Sequence, residues 1–159
     1  MKWSGKKFFT RKSATKREIT AWKASIPQKR GIYLLRLKGK KKPKVLRRVG
    51  GIDREFRLYY GSAIGKYGLQ ARIGWCLSSF NQKLSKKELF SQKTHTGLHT
   101  AVKTYKMFFP NTRWFEKGLI QVCWKISKDA RKKEAKLIRK YREHFMDNLP
   151  LNSQGRPKK

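Results

Sequence analysis

The sequence predicts a single α/β domain of the α+β kind, a mixed sheet flanked by helices, and three observations carry that expectation. The run Gly31-Ile32-Tyr33-Leu34-Leu35-Arg36-Leu37 is apolar on both faces, as a strand in the middle of a covered sheet is. Ile120, Val122, Trp124 and Ile126 alternate with Gln121, Cys123 and Lys125, the period of two of a half-buried strand. Two apolar stripes recur at helical spacing: Leu69, Ile73, Cys76, Leu77 and Phe80, and later Ala130, Ile138, Tyr141 and Phe145. The 159 residues allow one domain of ordinary size.

Along the chain, Met1 to Lys12 is basic and poor in pattern. Thr15 with Glu18 three residues on makes a capping-box start for a short helix carrying Ile19 and Trp22, closed by Pro27. After the Gly31 strand comes a basic turn, Gly39 to Lys44. Val45 to Val49 reads as a return strand, Gly50-Gly51 as a breaker, and Phe56 to Tyr60 as a strand burying Phe56, Leu58 and Tyr60 on one face. A glycine-rich loop, Gly61 to Gly68, leads into the helix of the first stripe, which Arg72 flanks. Thr96 to Met107 suits another helix through Leu98, Ala101, Val102 and Tyr105, and Pro110-Asn111 a turn. The last helix runs from about Ala130 to Phe145. The organisation expected is a basic arm with a short helix over 1–28, the main domain over 29–152 and a flexible basic tail over 153–159.

Charge narrows the partner. The 42 Lys and Arg against 9 Asp and Glu give +33, so the chain repels itself and calls for a polyanion: nucleic acid, an anionic membrane surface or an acidic protein. Nucleic acid is the commonest of these. No run of about 18 apolar residues exists to span a bilayer, and Met1 to Thr10 lacks the apolar core of a signal peptide. A cytoplasmic protein is expected. The aromatic content, 13% with five Trp, argues for a folded chain rather than a basic tail. Cys76 and Cys123 stand far apart and outside any C-x-x-C pair, which suggests buried reduced thiols.

One acid is out of place. Glu134 falls within the stripe Ala130, Ile138, Tyr141, Phe145, while Arg131, Lys132, Lys133, Lys136, Arg139, Lys140 and Arg142 occupy the rest of that helix. A charge facing a core is costly unless paired or bound to a metal. The periodicity alone leaves a second reading open, a first-turn carboxylate favoured by the helix dipole and paired with a neighbouring Lys. Glu88, Glu116 and Glu143 read as solvated, and Asp53 and Glu55 as turn acids.

The order of short motifs resembles the GIY-YIG nucleases. Gly31-Ile32-Tyr33 matches the first half. Tyr59-Tyr60-Gly61, followed by Ser62-Ala63, Gly65, Gly68-Leu69 and Arg72, is similar to the extended second half. Glu134 on a late helix and Asn152 in Pro150-Leu151-Asn152 complete a set spanning about Gly31 to Asn152. The resemblance implies a small, mainly antiparallel sheet of three strands flanked by helices, and a DNA endonuclease of homing or restriction-like kind. By the same resemblance Tyr33 and Tyr59 sit near the scissile phosphate, one of them activating or positioning water, Arg72 contacts the phosphoryl oxygens, Glu134 holds one Mg²⁺, for which Mn²⁺ can substitute, and Asn152 helps order the site. Phenols near cations lose their proton more readily, a guanidinium fork matches phosphate, and Mg²⁺ acts as a Lewis acid with few protein ligands. The partner implied is double-stranded DNA, with RNA as an alternative, the protein acting as a monomer or homodimer associated with nucleoid or phage DNA.

Two departures from the family qualify this. Between Tyr33 and Tyr59 lie 25 residues, longer than is common, so Gly39 to Arg57 reads as an inserted basic hairpin. Its Lys40, Lys41, Lys42, Lys44, Arg47 and Arg48, together with Lys66, are the expected nucleic-acid contacts. Cys76 stands where many relatives carry a His one turn after the Arg, leaving His95, His99, Lys66 or Lys44 as substitutes. His95 and His99 have metal-ligand spacing but no third ligand nearby, so surface or capping histidines are the plainer reading. Phe108-Phe109 and Trp114-Phe115 suit core packing, though base stacking is open to them, and Gly155-Arg156-Pro157-Lys158 suits an electrostatic tether. The rival from another class is a non-catalytic basic protein, ribosome- or nucleoid-associated, that keeps the fold; a structure-specific repair nuclease ranks last.

Overall fold

The computed structural model describes residues 2–9, 21–39, 44–78 and 119–152. The capping box at Thr15, Lys40 to Lys42, Phe80, the helix expected at Thr96 to Met107, the histidines at 95 and 99, the aromatics at 108–109 and 114–115 and the basic tail lie outside them.

The fold is α+β. Strands β1 (Gly5–Phe9), β2 (Gly31–Lys38), β5 (Arg57–Ala63) and β6 (Leu119–Ile126) form one sheet in the order β1-β6-β2-β5, and β3 (Arg47–Arg48) and β4 (Gly51–Ile52) form a separate two-stranded hairpin. Two helices, α1 (Gly68–Ser78) and α2 (Ala130–Phe145), pack on the large sheet, and residues 21–24 are helical. Among the described residues every pairing in this sheet is antiparallel, where a mixed sheet is expected from the sequence. Its three long strands match the number implied by the resemblance. The fourth, β1, comes from the segment expected to be a patternless arm. It pairs from Gly5 against Trp124 to Phe9 against Ile120, held by backbone hydrogen bonds that side-chain periodicity does not report.

β2 is central and buried from Gly31 to Leu35, as its two-faced apolarity predicts. β6 is covered on both faces as well: Gln121 and Cys123 are buried with Ile120 and Val122, while Ile126 at its end is exposed. The face of Tyr33, Leu35, Leu37 and Val122 packs on Leu69, Ile73 and Cys76 of α1. The face of Leu34, Tyr60 and Cys123 packs on Tyr141 and Phe145 of α2. Both cysteines are free and buried.

β5 departs from the expected alternation. Its pairing with β2 slips between Leu35, opposite Tyr59, and Arg36, opposite Arg57. This bulge turns Leu58 into the α1-side core with Tyr59 and Phe56, and sends Arg57 to the α2 face with Tyr60. One extra residue in a strand reverses the faces of everything before it.

The loop before β5 is built on Asp53, fully buried, which accepts hydrogen bonds from the backbone N–H groups of Glu55 (3.0 Å) and Arg57 (3.1 Å) and from Arg57 Nε (3.1 Å). It is a turn acid, as expected, but an interior one. Arg57 lies over the rings of Tyr141 and Phe145, 5.1 and 5.2 Å from their centres. The β3–β4 hairpin docks on the end of α2, where Gly50 N–H donates to the Phe145 carbonyl (2.7 Å). Met146, at φ 50°, ends that helix in the left-handed conformation. The chain then returns along the outer edge of β5, where Leu151 N–H donates to the Leu58 carbonyl (3.0 Å).

Candidate functional site

At the end of the sheet where β2 begins and β5 finishes, a cavity of about 350 Å³ opens between the glycine-rich loop, α1 and the start of α2. Ser62, Tyr67, Arg72, Trp75, Arg131 and Glu134 supply its larger and polar side chains. Each arrives for a local reason. Gly68, at φ 58°, turns the chain into α1 at a point where a Cβ would lie 2.6 Å from the backbone of Gln28 and Lys29. Arg72 sits one residue before Ile73 of the buried stripe and so at the stripe's margin. Glu134 is held toward the sheet because Ala130, Tyr141 and Phe145 on the same helix face are buried.

Behind the cavity lie two tyrosines. Tyr33 and Gly61 are direct partners across β2 and β5, and a Cβ at Gly61 would overlap the rings of both Tyr33 and Tyr59. That steric requirement explains why a glycine follows the tyrosine pair. The two rings lie 6.0 Å apart, centre to centre. Tyr33 is wholly buried, its hydroxyl 2.9 Å from Cys76 Sγ.

Burial dominates the electrostatics. It raises the pKa of Tyr33 well above that of an ordinary phenol, with the neighbouring Cys76 and Tyr59 adding to the shift and Arg72 only partly offsetting it. Tyr59 is raised for the same leading reason, with Cys76 and Glu134 contributing. The expectation that nearby cations ease proton loss from these phenols is therefore reversed: desolvation outweighs the guanidinium, and both stay protonated at neutral pH. The Cys76 thiol is pushed up to about 12, again by burial. Glu134 is also raised, by desolvation, against the opposing hydrogen bond from the Ser62 hydroxyl and the charges of Arg72 and Arg131.

The sequence-derived residues thus separate into groups. Arg72 and Glu134 line the cavity, Tyr33 and Tyr59 stand behind it, and Asn152 is outside it. Asn152 clamps the edge of β5 at Tyr60: its Oδ1 accepts from Tyr60 N–H and its Nδ2 donates to the Tyr60 carbonyl, both at 2.9 Å. It orders the strand that carries Tyr59 and does not face the cavity. Lys66 is exposed on the cavity loop, 4.9 Å from the Tyr67 ring centre. Lys44 and Arg47 are exposed at the hairpin, at the opposite end of the sheet, about 20 Å away by the length of β5. Arg48, expected as a nucleic-acid contact, is turned inward: its side chain is 10% exposed and reaches Asp147 at 3.4 Å. The hairpin docks on α2, and that packing claims Arg48.

Tyr67, Trp75 and Arg131 line the cavity although sequence reasoning does not single them out. A signal exists for two of them: Tyr67 is a lone aromatic inside a glycine-rich loop, and Arg131 lies three residues before Glu134, hence beside it on the helix. Among the described residues no three His, Cys, Asp or Glu come together, and no helix is long and apolar enough to cross a membrane. Against known proteins, no family model, curated protein or solved structure matches this chain.

Proposed function

We propose that the chain is a magnesium-dependent endodeoxyribonuclease of the GIY-YIG kind, hydrolysing phosphodiesters in double-stranded DNA in the manner of homing or restriction-like enzymes. The observation that carries this reading is the convergence on one cavity of a half-buried carboxylate, Glu134, and a guanidinium, Arg72, with two phenols packed behind them. These groups come from β2, β5, α1 and α2, in the order in which the resemblance has them.

Glu134 suits a hard cation. It is a single carboxylate with one hydroxyl donor on it, in a cavity with volume for several waters, and Mg²⁺ binds through one or two carboxylates and keeps most of its water. When bound there, the ion would supply Lewis-acid stabilisation of charge on the phosphate. The chain's own residues do the rest. Arg72 presents a fork of donors to a phosphoryl oxygen. Burial makes Tyr33 and Tyr59 neutral phenols rather than tyrosinate bases, so from behind the cavity they hold Arg72 in place and do not deprotonate the attacking water. Ser62 orients the carboxylate, and Asn152 fixes the strand from behind.

The test is nicking of supercoiled plasmid with Mg²⁺ and an EDTA control. Wild-type protein cuts; Glu134→Ala abolishes cutting and keeps DNA binding. A Glu134→Ala protein that cuts at the wild-type rate overturns the site. A wild-type protein that fails to nick with any divalent ion and co-sediments with ribosomes turns the reading to the non-catalytic binder.

A further inference from the structure

α2 sorts its cations. Taking 100° per residue from Glu134, which faces the sheet, Arg131, Arg142 and Arg139 fall on one flank at about 60°, 80° and 140°, with Lys132 at its outer margin at about 160°, whereas Lys133, Lys140 and Lys136 fall on the other at about 100°, 120° and 160° in the opposite sense. Arg131 lines the cavity, and Lys140 lies on the side of Tyr60 and His144. The arginine flank therefore leads to the cavity. Exposed Ala135 lies between Arg131 and Arg139 and leaves that flank low.

This arrangement works against the isolated helix. There is no acid in the first turn, where Arg131 and Lys132 oppose the helix dipole, and Asp129 at the N-cap makes no side-chain capping bond. Within the helix Arg139 pairs with Glu143, at 3.7 Å between exposed groups. Like charges four apart and cations at a helix N-terminus each weaken the helix slightly, and an anion laid along the helix reverses the sign of both effects. From Arg131 to Arg142 the rise is about 16 Å, the length of about five base pairs.

We propose that the Arg131–Arg139–Arg142 flank of α2 is the track on which one strand of duplex DNA lies as it enters the cavity, and that the β3–β4 hairpin is not the principal anchor. The inference rests on DNA as the partner, not on catalysis. Arg142 is already oriented by Asn148 and Arg139 by Glu143.

The experiment measures binding of a fluorescent 20-base-pair duplex in EDTA across a salt series, so that nuclease activity plays no part. Arg139→Gln with Arg142→Gln is expected to lower the slope of log K against log salt by about 1.8, near 0.9 for each phosphate no longer neutralised. Lys136→Gln with Lys140→Gln, and Lys44→Gln with Arg47→Gln, are each expected to lower it by less than half as much. Arg139→Lys with Arg142→Lys keeps the helix charge, so it should keep the slope and weaken affinity several-fold. A lysine or hairpin pair that lowers the slope as much as the arginine pair overturns the track. So does a lysine-for-arginine variant that binds as wild type, which answers the question even if the glutamine variant unfolds. A wild-type protein that binds in EDTA but never cuts refutes the nuclease reading alone.

Discussion

Two ends of the same sheet each hold one inward carboxylate beside one arginine, and they are built for opposite purposes. At the hairpin end, Asp53 has no exposed surface and is satisfied from several sides, by two backbone N–H groups and the guanidinium of Arg57. Arg57 in turn lies over two aromatic rings. At the cavity end, Glu134 lies beside Arg72 with the Ser62 hydroxyl as its hydrogen-bond donor, and burial raises its pKa. A carboxylate whose lone pairs are met by fixed donors serves the fold; one that is desolvated yet faces an open volume is the candidate for binding a ligand.

The comparison breaks most visibly at Asp53. Removing it leaves two N–H donors and a half-buried guanidinium without their acceptor, so Asp53→Ala is expected to cost about 3–5 kcal/mol, as the loss of one partner of a buried pair does. Urea unfolding measures it. A cost under about 1 kcal/mol, the range of an exposed ion pair, would put Asp53 in the same class as a surface turn acid.

Glu134→Gln is expected to move stability the other way. A carboxyl raised in the folded state contributes stability that is fully present below the ordinary Glu pKa and is lost as pH rises through the folded value. Wild-type Tm therefore falls across that window relative to the Gln variant. At neutral pH the variant should melt higher, by about 2–4 °C for each kcal/mol relieved, and the difference should close below about pH 4. Melting curves from pH 3 to 8 decide it, and a variant that melts lower at neutral pH would make Glu134 a structural acid like Asp53.

Much of this contrast is legible in the sequence at the cavity end and little of it at the hairpin end. Glu134 shows as an acid in an apolar stripe, and α2 spans the residues its periodicity predicts, because a helix face is a local property of one segment. Gly61 and Tyr33 are legible as motif letters, and the strand register supplies their physical reason. Asp53 cannot be told from an exposed turn acid by sequence, since its burial comes from the packing of β5, the hairpin and α2 together. The bulge before Tyr59 leaves no period-two trace, so periodicity puts Tyr60 on one face with Phe56 and Leu58; all three are buried, but Tyr60 on the opposite side of the sheet. β1 escapes the pattern because an edge strand is specified by its ladder to β6. Arg48 looks like its basic neighbours, and only the docked hairpin turns it inward.

The finest test of the contrast is Ser62→Ala, which removes the hydroxyl donor from Glu134 and leaves the carboxylate's other surroundings alone. Water in the cavity can replace that hydroxyl, so stability should change by less than about 1 kcal/mol, the net worth of an ordinary hydrogen bond. The ionised carboxylate loses a bond that favours it, so the pH at which stability is lost should move upward from its wild-type position. If Glu134 holds Mg²⁺, the half-saturating Mg²⁺ concentration for plasmid nicking should rise on the order of tenfold, with the maximal rate nearly kept, as when a metal ligand loses its orienting partner. An unaltered pH transition together with unaltered Mg²⁺ dependence would mean that Ser62 does not orient this carboxylate. A stability loss of about 3 kcal/mol would show instead that Glu134, like Asp53, depends on fixed donors that water cannot replace.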